Sequence, residues 1–169
     1  MSRETAATSV ETRLGTIGVE ATETGVRRVH LPGDATPRQS PGADGTAAEN
    51  AAAAARQLAE YVEGRRVLFD LELDWDGVDT THRRLLETLR DAAPFGATVT
   101  YGELGRRAGV EDPRDVGVMM ARNPIPLVVP CHRVVASDGL GGFGGGLELK
   151  RQLLELEGVL PPRLDFGDL

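Results

Sequence analysis

Thr98-Val99-Thr100-Tyr101-Gly102-Glu103-Leu104, followed by Gly109 and by Asp112-Pro113-Arg114-Asp115, sets out two short helices and the turn between them. Thr100 and Glu103 have the S/T-x-x-E spacing of a capping box, so a helix is expected to start at Tyr101. It should run to about Ala108 and stop at Gly109, since glycine suits the left-handed residue after a helix. Asp112 then reads as a second N-cap, with Pro113 at the first helical position, where no amide hydrogen is needed. Asp115 adds an acid two residues on. This helix should end at Asn123-Pro124. Two short helices across a glycine-led turn outline a helix-turn-helix, and equally two packed helices of an ordinary α domain.

Outward from this pair, Thr81–Ala92 carries Leu85, Leu86 and Leu89 at helical spacing. Downstream, Ile125–Val135 reads as an extended run holding Pro126 and Pro130. Asp138–Gly146 is a glycine-dense loop around Phe143, and Leu147–Glu157 is a final helix, apolar at Leu149, Leu153, Leu154 and Leu156. Upstream, Val67–Leu73 alternates Phe69, Leu71 and Leu73 with acids, which predicts a strand. Glu49–Glu63 has helical spacing, with Leu58, Tyr61 and Val62 on one side. Residues 32–48 read as a mobile loop. Thr12–Ala21 and Gly25–Leu31 read as a hairpin. The expected fold class is α+β: a disordered tail at 1–11, a small α/β unit with an antiparallel sheet at 12–76, a helical helix-turn-helix domain at 80–160, and a tail at 161–169.

The chain has 169 residues, 40% of them hydrophobic and 27% charged, which is globular composition. Its longest apolar runs, Ala51–Ala55 and Pro124–Val129, are far below the roughly 20 residues that span a bilayer, so no membrane partner is expected. Met1–Glu11 lacks the apolar centre of a secretory signal. The single cysteine, Cys131, excludes an internal disulfide and a multi-cysteine zinc site. His30, His82 and His132 are too scattered to suggest a metal. A lone cysteine without an export signal reads as a reduced cytoplasmic thiol. The net charge of −7 argues against nucleic acid, but residues 80–135 hold 8 basic and 6 acidic side chains. That is the one stretch an anionic partner would favour.

Chemistry centres on Pro130-Cys131-His132-Arg133. A thiol is a good nucleophile only as thiolate, so a base or cation must lower its pKa. His132 is adjacent, yet neighbours in a regular strand point to opposite faces. A Cys131–His132 pair would therefore need a bend at Pro130, or a bridging water. A buried carboxylate would also be needed to orient His132. On its own, a single cysteine is as readily an inert core residue.

The run Asn123-Pro124-Ile125-Pro126-Leu127-Val128-Val129-Pro130-Cys131-His132-Arg133-Val134-Val135 strongly resembles the signature of the O6-alkylguanine-DNA alkyltransferases (methylated-DNA–protein-cysteine methyltransferases). Phe95-Gly96 through Leu104 resembles that family's approach to its helix-turn-helix. Gly145-Gly146-Leu147-Glu148-Leu149-Lys150 through Gly158 resembles its last helix. The likeness covers residues 12–159 and implies that the first unit is ribonuclease-H-like.

The resemblance implies direct repair of O6-alkylguanine in DNA, with O4-alkylthymine as a second candidate lesion, in a single-turnover reaction without cofactor or metal. Cys131 would accept the alkyl group, His132 would take the thiol proton through a water, and Glu157 would orient His132. Asn123 would hold the turn before the site. Tyr101 would donate to the departing guanine, and Arg114 would enter the base stack as the guanine leaves it. Gly117, Arg122 and Arg133 complete the implied DNA-facing set. Met120, Leu140, Gly141, Gly142, Phe143 and Gly144 would form the substrate pocket. The expected partner is DNA containing O6-alkylguanine, met by a cytoplasmic monomer. Val118-Met119-Met120 after Gly117 is bulkier than the family's usual run, and Phe143 stands where a tyrosine is frequent. Three rival readings are a non-enzymatic alkylated-base recognition module, a regulatory DNA-binding protein, and another thiol enzyme. Recognition relatives lack the reactive cysteine, regulatory ones carry extra domains, and a hydrolase would leave Arg114 and Tyr101 without a role.

Overall fold

The computed structural model describes residues 4–40 and 44–163. Residues 1–3 and 164–169 of the expected tails, and 41–43 of the expected loop, lie outside the described residues. Three antiparallel strands open the fold: β1 (Ala6–Thr12), β2 (Gly15–Ala21) and β3 (Val26–His30), in that order across the sheet. The disordered-tail reading of 1–11 therefore fails from Ala6 onward. Ala6 pairs with Ala21 and Thr12 with Gly15, so the whole of β1 lies on β2. Thr8, Ser9, Glu11 and Thr12 concealed it. An edge strand faces solvent and needs few apolar side chains. The central strand β2 does the burying: Ile17, Val19 and Ala21 are inaccessible.

Helix α1 (Gly45–Val62) covers β1 and β2 with Ala47, Ala51, Ala54, Ala55, Leu58, Tyr61 and Val62. The alanines favour the helix and let it approach the sheet closely. They also extend it four residues upstream of the expected start. The strand expected at Val67–Leu73 is not formed. Its backbone partner at Asp70 is a side chain: Gln57 Nε2 donates to Asp70 O and Gln57 Oε1 accepts from Asp70 N. Only Leu73 bridges to the sheet, at Val26. The alternation is real, but the segment meets β3 at its end alone, so no ladder forms.

The second half is built on local caps. Helix α2 (Thr80–Ala92) starts at Asp79, whose carboxylate accepts from His82 N, and buries Leu85, Leu86 and Leu89. The two-residue strand β4 (Val99–Thr100) leads into α3 (Tyr101–Ala108). Thr100 Oγ1 accepts from Glu103 N at 3.1 Å, and Gly109 closes the helix at φ 78°. The Glu103 carboxylate turns to Arg106 and Arg107 instead of returning to the cap, so half of the capping box forms. Helix α4 (Pro113–Ala121) follows, with Asp112 accepting from Arg114 N. The α3–α4 turn is tight at Gly105, where a Cβ would sit 2.4 Å from Val110 O. Gly105→Ala should therefore cost about 2–3 kcal/mol of stability, read as a lower urea midpoint with an unchanged slope.

Ile125–Val135 is not the extended run expected. Leu127 takes a left-handed φ of 73°. Pro130 (φ −82°, ψ 66°) makes an inverse γ-turn, with Cys131 N donating to Val129 O at 2.8 Å. One 3-10 turn, Cys131–Arg133, follows. Then β5 (Val134–Val135) lies parallel to β4. This pairing sets the cysteine turn beside the start of the helix-turn-helix. Helix α5 (Leu147–Leu156) packs through Leu149, Leu153 and Leu154, and Glu157 caps its end. Val29 N donates to Pro124 O at 3.0 Å, stitching β3 to the C-terminal half.

Candidate active site

Cys131 is 7% exposed and forms the floor of a cavity of about 520 Å³. Helix α4 supplies Arg114, Gly117 and Met120, helix α3 supplies Tyr101, and the glycine loop supplies Gly142, Phe143 and Gly144. Leu140 and Gly141 do not line it, a correction to the expected pocket. Gly141 lies behind the Tyr101 ring, where a Cβ would sit 2.8 Å from Cε2, and its φ of 72° also calls for glycine. Tyr101 donates its hydroxyl to Gly142 O at 3.1 Å, which ties the loop to α3. Burial pushes the Tyr101 phenol up, reinforced by the thiolate charge at Cys131, so it remains a proton donor. A second depression of about 520 Å³, between β3 and the end of α4, also reaches Cys131 past Pro126.

The 3-10 turn resolves how adjacent residues share one site. Cys131 and His132 are both buried, but His132 points away from solvent to Glu157, with Nε2 2.7 Å from Oε2. A carboxylate can only accept, so Nε2 carries the proton and Nδ1 keeps a free lone pair. Nδ1 is buried and has no hydrogen-bond partner among the described residues. Burial lowers the His132 pKa and outweighs the pull of Glu157, so the imidazole rests neutral. Burial alone would raise Glu157, yet hydrogen bonds from His132 and Arg133 hold it down to about 2. Burial pushes the Cys131 thiol up to about 11, against the Asn123 amide and the Lys150 charge. At rest, then, the site holds a neutral thiol and a neutral base.

Arg133 is not a DNA contact. Its side chain is buried, with Nε on Glu157 Oε1 at 2.7 Å, Nη2 on Oε2 at 3.0 Å and Nη1 on Ala93 O at 2.9 Å. Asn123 closes the turn before the site: Nδ2 donates to Val129 O and Oδ1 accepts from Ile125 N. The Arg114 side chain is 91% exposed and, among the described residues, is held by Asp112 at 3.1 Å. Solvent screens so exposed a pair, and a phosphate or base can displace it. Gly117 has open space above it, and Arg122 is exposed at the end of α4.

Sequence reasoning missed Lys150 and Tyr61. Lys150 is inaccessible, with Nζ on Val134 O at 2.6 Å and Gly142 O at 3.0 Å. Burial takes its pKa down to about 8, against the pull of the Cys131 thiolate. The signal was its place on the apolar face of α5, next to Leu149 and one turn from Leu153 and Leu154. Tyr61 reaches Glu157 from α1, and no local pattern marked it. Among the described residues, no group of three or more His, Cys, Asp or Glu is placed to hold a metal ion. No described helix is long and apolar enough to cross a membrane.

Fold and site together define a helix-turn-helix protein with a buried thiol backed by a histidine–carboxylate pair. The chain belongs to the 6-O-methylguanine DNA methyltransferase family, whose ribonuclease-like domain matches residues 6–75 and whose DNA-binding domain matches residues 80–159. It is 51% identical to the methylated-DNA–protein-cysteine methyltransferase of Methanopyrus kandleri over 108 residues, 64% of this chain and 81% of that protein. It spans 50% to 56% of the length of some other curated methyltransferases it matches. A DNA base-flipping protein of Thermus thermophilus is 41% identical over 151 residues, 88% of this chain and 97% of its own. The structure of Mycobacterium tuberculosis OGT in complex with DNA aligns with a TM-score of 0.76 and 31% identity, over 89% of this chain and 91% of that one.

Proposed function

We propose that this protein repairs DNA directly, by irreversible transfer of an alkyl group from O6 of guanine to Cys131 Sγ. The observation that carries this reading is a buried thiol next in sequence to a buried His132 held by Glu157, at the floor of a cavity walled by the helix-turn-helix. His132 takes the thiol proton through a bridging water, and Glu157 stabilises the imidazolium that forms. Sγ attacks the alkyl carbon, the carbon–O6 bond breaks, and its electron pair leaves with the guanine. Tyr101 donates its proton to that base as negative charge develops. The product is a thioether, so each chain acts once and needs no cofactor. O4-alkylthymine is a second candidate lesion, and the protein works as a cytoplasmic monomer.

Chemistry on a stacked base requires extrusion. Arg114, exposed at the mouth of the cavity, fills the gap the guanine leaves, while Gly117 lets α4 approach the groove and Arg122 meets a phosphate. Arg114→Ala should slow transfer from duplex DNA by about ten- to a hundredfold, the worth of a few kcal/mol of unstacking. Reaction with free O6-methylguanine should barely change. Equal losses on both substrates would remove the extrusion role.

Intact-protein mass spectrometry after incubation with a duplex holding one O6-methylguanine tests the whole reading. One methyl group gained per chain, and none in Cys131→Ala, is expected. Lesion-selective binding without a mass change would instead favour a non-enzymatic recognition module; the Thermus thermophilus relative is named a DNA base-flipping protein.

A further inference from the structure

We propose that Tyr61, carried on α1 of the N-terminal half, is a positioning residue of the Cys131 site, setting through Glu157 how strongly His132 holds a proton. Its hydroxyl donates to Glu157 Oε2 at 2.5 Å, the oxygen that also receives His132 Nε2 at 2.7 Å and Arg133 Nη2 at 3.0 Å. The hydroxyl lies 3.4 Å from His132 Nε2 itself. Tyr61 is wholly buried, 71 residues from His132 and 96 from Glu157 in the chain. Phe69, with ring centroids 5.4 Å apart, and Phe95, edge-on at 6.5 Å, hold the ring in place.

Each donor on the carboxylate draws charge from it and weakens its pull on the imidazole proton. Burial keeps the Tyr61 phenol protonated, and the charge on Glu157 adds to this. The hydroxyl therefore remains a donor whatever His132 does. The other groups bearing on His132 are Glu157 and Lys150 from α5 and Arg133 from its own turn. Arg133 and Lys150 oppose protonation by charge and Glu157 favours it. Tyr61 is uncharged, comes from the N-terminal half, and moderates Glu157. Its removal leaves a more basic carboxylate, so His132 picks up a proton at higher pH and is lost as a base sooner as pH falls.

The test is the pH profile of Cys131 alkylation in the full chain, read with two electrophiles: the O6-methylguanine duplex and iodoacetamide. Tyr61→Phe should move the acid limb up by about one pH unit, the size expected for a lost hydrogen bond to a buried carboxylate. 3-Fluorotyrosine at position 61, a stronger donor of the same shape, should move it down. An acid limb unmoved by both changes, with only thermal stability altered, overturns the proposal. If Tyr61→Phe does not fold, the fluorotyrosine protein decides alone: a lower midpoint supports the proposal and an unchanged one overturns it. The proposal rests on the repair reading only for the identity of the electrophile. A duplex that wild type does not demethylate defeats that reading, while the iodoacetamide profile still judges Tyr61.

Discussion

His132→Phe should slow single-turnover alkylation of Cys131 at pH 7 by about 10²–10⁴-fold, the usual worth of a positioned general base. A planar ring is kept, at some cost in packing for its larger size, and Glu157 retains Arg133 and Tyr61, so folding should survive. The shape of the pH profile is the sharper expectation. Burial lowers the His132 pKa, so in the wild type the base is already neutral at pH 7 and the rate should be nearly flat across neutrality. In the variant only the spontaneous thiolate reacts. Its fraction rises about tenfold per pH unit until the thiol pKa of about 11. A log-linear climb through the alkaline range should therefore replace the plateau. A variant that stays flat would show that another group takes the proton.

Arg133→Ala should lower stability by about 3–5 kcal/mol, the cost of leaving a buried charge without its partner. Three side-chain hydrogen bonds disappear with it, two to Glu157 and one to Ala93 O. For a chain of this length the melting temperature should fall by about 10 °C. The pH dependence has a definite sign. Glu157 is held at about 2 when folded, against an ordinary 4.5. Its contribution is complete above pH 4.5 and is lost as pH falls through 2. Without Arg133 the folded pKa rises, so acid unfolding should begin at higher pH. Thermal melts of wild type and variant across pH 2–7 would show whether the curves converge in acid, as this requires.

The helix-turn-helix was legible because its signals are local: Thr100, Gly109 and Asp112 each act within three residues of the helix end they define. Strand β1 was not, since an edge strand can be polar on one side and its partner lies beyond a turn. The 67–73 segment showed the right alternation, but at Asp70 a side chain on α1, Gln57, takes the backbone groups a strand would have paired. At the site, family resemblance pointed to Cys131, His132 and Glu157; of the two devices considered for joining the first two, a bend at Pro130 or a bridging water, the bend is present. Arg133 was misread because its partner stands 24 residues on and nothing nearby reveals that it turns inward. Tyr61 and Lys150 depend on packing between elements remote in the chain, which no spacing rule encodes.

The depth of Cys131 bears on how long the molecule survives before use. Peroxides and stray electrophiles consume thiolates, and a thiol with a pKa of about 11 is ionised in about one molecule in ten thousand at pH 7. A protein whose reaction is irreversible gains nothing from a permanently activated sulfur, which would be oxidised on the shelf of the cell. Here burial keeps the proton on sulfur at rest. Stored protein should keep a titratable thiol through oxidant exposure that inactivates ordinary surface cysteines. Its useful lifetime would then be set by the arrival of damage.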